Sequence, residues 1–99
     1  MNILNNAKDA LIDRSVRKPL VRIRLFREGA RSVMAVADNA GGIPEEVIDK
    51  IFDPYFTTKE EGKGTGIGLY MSKNIIEGHM AGSLTVKNMP EGAEFTIKV

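Results

Sequence analysis

Ninety-nine residues, 42% of them hydrophobic and 27% charged, make one small globular domain with room for a modest core. A formal net charge of +1 gives no reason to expect nucleic acid or an anionic membrane as partner, and the lack of cysteine excludes disulfides and thiolate metal sites. No stretch is apolar for long enough to cross a bilayer, and Met1 is not followed by a basic and then apolar leader; no direct membrane insertion and a cytoplasmic location are expected.

In chain order, the first predicted element is a helix over residues 2–14, NILNNAKDALIDR, with Ile3, Ala7 and Leu11 on one face and Leu4 beside them. Asn2, Asn6, Asp9 and Asp13 form a polar stripe along another. After Pro19 the pattern turns to alternation, Val21, Ile23 and Leu25 against Arg22 and Arg24, followed by a turn at Glu28 and Gly29 and by Val33 to Val36. This is a hairpin whose second strand is the more buried. The basic residues from Arg14 to Arg31 are therefore read as a solvated sheet face.

DNAGGIP is a loop, and Pro44 opens a short helix reaching Phe52, with Glu45 and Glu46 in its favourable first turn. Asp53 to Thr65 has no period and reads as a mobile loop. A helix then runs from Gly66 to about Met80, with Lys73, Asn74 and Glu77 on one face and a wide apolar or small arc, including Gly68 and Ser72, elsewhere. Gly82 is the expected left-handed stop. SLTVKNM and AEFTIKV close the chain as a hairpin around Pro90, Glu91 and Gly92, with Phe95, Ile97 and Val99 turned inward. The order predicts an α+β two-layer sandwich, an antiparallel or mixed sheet with helices on one face.

The chemistry concentrates in FDPYFTTKEEGKGTGIGLYMSK, which crowds glycines at 62, 64, 66 and 68 before a helix. Free amides and the positive helix end favour an anion there. The P-loop pattern fails because Gly62 and Lys63 are followed by Gly64. The dinucleotide pattern fails because Ile67 and Leu69 stand where glycine is needed. Asp38 ends a buried strand, where an unpaired carboxylate is costly, so it needs a donor: either an amide of the following turn or a ligand. Asn6, and Asn2 one turn earlier, offer carboxamide oxygens of the kind Mg²⁺ accepts beside phosphates and water. Asn2 also reads simply as an exposed residue near a chain end. The single histidine, His79, reads as a capping or packing residue.

Four of these segments, in order, resemble one family. NILNNAKDA resembles the N box (2–10), VADNAGGIP the first glycine box (38–44), FDPYF the F box (52–56) and GKGTGIGLYMSK the second glycine box (62–69) of the ATP-binding catalytic domain of sensor histidine kinases. The resemblance covers nearly all of residues 1–99 and implies the sandwich shared with gyrase-type, Hsp90-type and MutL-type ATPases. It implies an ATP site of Asn6, Lys8, Asp38, Gly42, Ile43, Lys63, Gly64, Thr65, Gly66, Gly68 and Leu69, with Mg²⁺ on Asn6 and Asn2 as second ligand.

On this reading Asp38 accepts from the adenine amino group, and Gly41 and Gly42 let the backbone pass close to the base. Gly64, Gly66 and Gly68 wrap the triphosphate under a lid over 53–65, based on Phe52 and Phe56. Lys59 and Lys63 read both as phosphate contacts and as solvated lid lysines. Lys8 stands one place before the usual family lysine, where this chain has Asp9. Ala40 and Ala93 replace a common glycine and threonine.

The implied reaction is transfer of the γ-phosphoryl group to a histidine on a separate helical dimerisation domain of the same kinase, with a response regulator downstream. The expected parent is longer, since relatives carry a strand and the first helical turns before the N box. Two other readings are an ATPase of the gyrase type and a catalytically silent interaction module. The ATPase reading needs a base where Asn2 stands, and a carboxamide cannot take a proton. His79 lies about 18 Å along the last helix from a phosphate held at its start, at 1.5 Å per residue.

Overall fold

The computed structural model describes residues 2–13, 15–54 and 68–99. Helix α1, Asn2–Asp13, buries Ile3, Ala7 and Leu11, a row spaced by four that a helix places on one side. Strands β1, Val21–Glu28, and β2, Arg31–Asp38, pair antiparallel around a turn in which Gly29 takes φ 64°, a conformation glycine adopts without strain. The final strands are β3, Ser83–Asn88, and β4, Ala93–Lys98. The sheet order is β1-β2-β4-β3 with all three ladders antiparallel, so the sheet is purely antiparallel among the described residues.

Alternation places Val36, Phe95 and Leu84 on one face, where they meet Ile3 of α1, Ile51 and Ile76 to form the core. Burial of these large side chains supplies the main stabilisation, about 1.5–3 kcal/mol for each one taken fully out of water. Edge strand β1 is exposed almost throughout. The helices pack over β2 and β3 and leave Ile23 and Leu25 open.

The opposite face carries no helix among the described residues, yet Val33 and Ala35 on it are buried. Two ion pairs explain this. Arg24 on β1 reaches Glu94 on β4 at 3.2 Å, and Glu28 on β1 reaches Lys98 on β4 at 2.9 Å. Since β2 lies between β1 and β4, both pairs must pass over it, and its small residues fit beneath.

Four expectations are corrected. Helix α2 is only Glu45–Ile48, after which single turns closed by Lys50 N–H to Val47 O and Asp53 N–H to Lys50 O carry Ile51 and Phe52 toward the core. Helix α3 is Gly68–Asn74 and widens over Ile75–His79 into a π-helical stretch, marked by the Met80 amide bonding Ile75 O. Its apolar arc is not wholly covered: Met71, Ile75 and Met80 are about half exposed, and Ile76 alone is buried among the described residues of this helix.

The helix stop is Ala81, with φ 51°, and not Gly82. Gly82 is required by packing instead, because a Cβ there would lie 2.2 Å from Lys98 O. Finally, Phe95 is buried and Ile97 half-buried as expected, but Val99 follows the end of β4 and is exposed.

Candidate functional site

Three of the expected site residues, Asp38, Gly42 and Ile43, lie where β2 ends. Asp38 is half-buried, and its Oδ1 accepts from the amide of Ala40 at 3.0 Å and that of Ala93 at 3.4 Å. The donors demanded by the sequence are thus in part internal: one carboxylate oxygen caps its own turn and holds the start of β4. Oδ2 has no hydrogen bond among the described residues. The hairpin comes this close because residue 92 is glycine; a Cβ there would lie 2.0 Å from Asp38 O and 2.7 Å from Asp38 Oδ1.

After Asp38 the loop turns sharply, with Gly41 at φ 93° and Gly42 at φ 88°. Both values lie where a side chain is strained, so these glycines serve backbone direction. The Gly41 amide donates to Glu91 O at 3.0 Å. Ile43 is fixed by one side chain: its amide donates to Asn88 Oδ1 at 2.8 Å, and Asn88 Nδ2 donates back to its carbonyl at 2.7 Å. Ala40 is buried beneath the loop, which leaves the departure from the usual glycine in a packed position. The loop is tied on its other side by Asn39, whose Oδ1 accepts from the Leu20 amide and whose Nδ2 donates to Lys18 O.

The base of the expected lid is equally specific. Phe52 packs edge-on against Phe95, centroids 6.2 Å apart and planes at 87°, and the Lys73 ammonium sits 4.6 Å above its ring. Lys73 also donates to Leu84 O at 3.1 Å and pairs with Glu77 at 3.3 Å, which locks α3 to β3. Gly68 and Leu69 open α3, and Leu69 packs at the margin of the core with Ile43 and Phe52.

The structure therefore sets Asp38, Gly42 and Ile43 on one loop, and Ile43, Leu69 and Phe52 pack against the same core, while Gly68 stands at the start of α3. Lys8 is exposed on α1. Asn2 and Asn6 lie one turn apart on α1, which packs against β2 and α3; their side chains fall outside the described residues. Phe56, Lys59, Lys63, Gly64, Thr65 and Gly66, and with them most of the lid, lie outside them too. Among the described residues no cluster of three or more His, Asp or Glu could hold a metal, and no helix is long and apolar enough to cross a membrane. His79 is exposed in the π-helical stretch, so it is not a packing residue.

Asn88, Asn39, Gly92 and Lys73 were not identified as site-supporting residues from the sequence. An asparagine before a Pro-Glu-Gly turn reads as turn chemistry, and nothing local says that it bonds a residue 45 positions earlier.

Comparison with known proteins agrees with this fold. The family described as histidine kinase-, DNA gyrase B- and HSP90-like ATPase matches residues 1–99. The chain is 43% identical over 102 residues to the two-component sensor PprA of Pseudomonas aeruginosa, a match covering all of this chain and 11% of that protein. Among solved structures, the catalytic domain of histidine kinase ThkA superposes with a TM-score of 0.79 at 28% identity, covering 99% of this chain and 59% of that one. Full-length ShkA in complex with AMPPNP gives 0.73 at 25% identity, covering 99% and 20%. On sequence and fold, the chain belongs to the histidine kinase-, gyrase B- and HSP90-like ATPase family, on its sensor histidine kinase side.

Proposed function

We propose that this chain binds ATP with Mg²⁺ and acts as the catalytic domain of a two-component sensor kinase. It passes the γ-phosphoryl group to a histidine on the helical phosphoacceptor domain of the same kinase, from which a response regulator takes it. The observation that carries the reading is the cradle after β2: Asp38 keeps one carboxylate oxygen for a ligand while its other oxygen fixes the loop, and Gly41 and Gly42 bring backbone close beside it. An adenine amino group is the donor this acceptor suits. The nucleotide bound to ShkA supports the same ligand class.

The donor set suits Mg²⁺, a hard ion that takes oxygen ligands, with Asn6 as ligand and Asn2 as a second. When bound it neutralises charge on the phosphates. Asn6, Lys8, Asp38, Gly42, Ile43, Lys63, Gly64, Thr65, Gly66, Gly68 and Leu69 form the ATP site on this reading. In the transfer a nitrogen of the acceptor imidazole bonds to the γ-phosphorus as the bond to the bridging oxygen breaks and ADP leaves. The work of this chain is to position and screen charge. Asn2 supplies no base, so water is not activated.

Calorimetric titration of Mg·ADP into the full chain tests the reading. Asp38→Asn should weaken binding by about 1–3 kcal/mol, the range for a mismatched hydrogen bond at a site that the bound ligand closes off from water. Unchanged affinity in that variant would remove the adenine assignment.

A further inference from the structure

We propose that Asn88, on the closing hairpin, is a positioning residue for the nucleotide loop; the inference rests on the nucleotide reading above. Its carboxamide bonds both backbone groups of Ile43, at 2.8 Å and 2.7 Å, as a neighbouring strand would, and reaches Glu45 Oε1 at 3.5 Å. One side chain thus joins the end of β3 to the loop and to the first turn of α2. The Gly41 amide bonds Glu91 O on the same hairpin, so the loop is held at two points two residues apart. Between those points stands Gly42.

This placement gives Gly42 a second reason to be glycine. A Cβ at position 42 would lie 2.9 Å from Asn88 Oδ1 and 3.3 Å from its Cγ, so the bare backbone is what admits the carboxamide to Ile43. Gly42 and Asn88 form one device. The glycine permits the turn and the asparagine selects a single arrangement of it, with the loop set beside the Asp38 carboxylate before any ligand arrives. A preorganised loop spares the ligand the entropy of ordering it. Asn88 touches no ligand in this account and acts through Ile43 and Gly42.

The test combines Mg·ADP titration with hydrogen exchange on the full chain. Asn88→Ala should weaken ADP about three- to tenfold, roughly the effect of one hydrogen bond, because both lost bonds are solvent-accessible and neither touches the ligand. The Gly41 to Ile43 amides should lose protection while β2 and β4 amides keep theirs. Asn88→Asp keeps the acceptor for the Ile43 amide but sets a carboxylate oxygen against Ile43 O and Glu45 Oε1, so its affinity should fall at least as far as that of Asn88→Ala. A general loss of stability would not give this order with unchanged strand protection.

Equal ADP affinity in the unaltered chain and Asn88→Ala overturns the positioning role. Unchanged Ile43 protection in Asn88→Ala overturns the clamp itself. No ADP binding by the unaltered chain overturns the nucleotide reading instead, and the exchange arm then still decides whether Asn88 fixes the loop.

Discussion

Replacing Gly92 by alanine isolates the contact that holds the two halves of the candidate site together. The added Cβ would stand 2.0 Å from Asp38 O, 2.7 Å from Asp38 C and 2.7 Å from Asp38 Oδ1, and the first two are backbone atoms that no rotamer change can move. Either the hairpin retreats from β2 or β2 itself shifts. Overpacking of this kind costs about 1–3 kcal/mol, and retreat also stretches the bond from the Ala93 amide to Asp38, worth about 0.5–1.5 kcal/mol.

The expected loss is therefore about 2–4 kcal/mol, or a fall in melting temperature on the order of 10–25 °C for a domain this size. Gly78→Ala is the matched control. It adds the same methyl where nothing lies within 4 Å, in a helical stretch where alanine is favoured by about 0.5–1 kcal/mol. Urea unfolding of both variants at constant slope measures the difference. A Gly92→Ala midpoint equal to that of Gly78→Ala would refute the reasoning.

Three further outcomes follow from other contacts. Glu94 has a side chain only 5% exposed and faces Arg24 at 3.2 Å, so a double-mutant cycle of Arg24→Ala with Glu94→Gln should give about 1 kcal/mol of coupling, reduced from a buried pair because Arg24 is half exposed; a value near zero in denaturant unfolding would mean the bridge does not roof β2. Lys73→Met removes the bond to Leu84 O and the cation above Phe52 and should cost about 1–2 kcal/mol, whereas Glu77→Gln should cost less; equal effects in the same assay would remove the cation from the account. Incubation of the full chain with labelled ATP should leave no acid-labile phosphate on exposed His79, and recovery of phosphohistidine there by mass spectrometry would contradict a separate acceptor.

Much of this protein is settled by local pattern. The spacing of Ile3, Ala7 and Leu11 makes α1, alternation around Glu28 and Gly29 makes the first hairpin, and the pairing of SLTVKN with AEFTIK makes the second. Asp38 needing a donor was legible because strand residues run into it and burial makes an unpaired carboxylate costly.

Tertiary structure decided which donor it receives, because the Ala93 amide comes from 55 residues away. It also decided why three glycines are glycines. Gly42, Gly82 and Gly92 each face atoms of a distant segment of the chain, and a one-dimensional reading does not name those segments. Ala81 carries the helix stop, and Gly82 is glycine because β4 leaves no room for a side chain there, which no helix-end rule contains. The burial of Ala35 is likewise a property of two ion pairs crossing a strand between their own, since strand order is set by packing and not by sequence period.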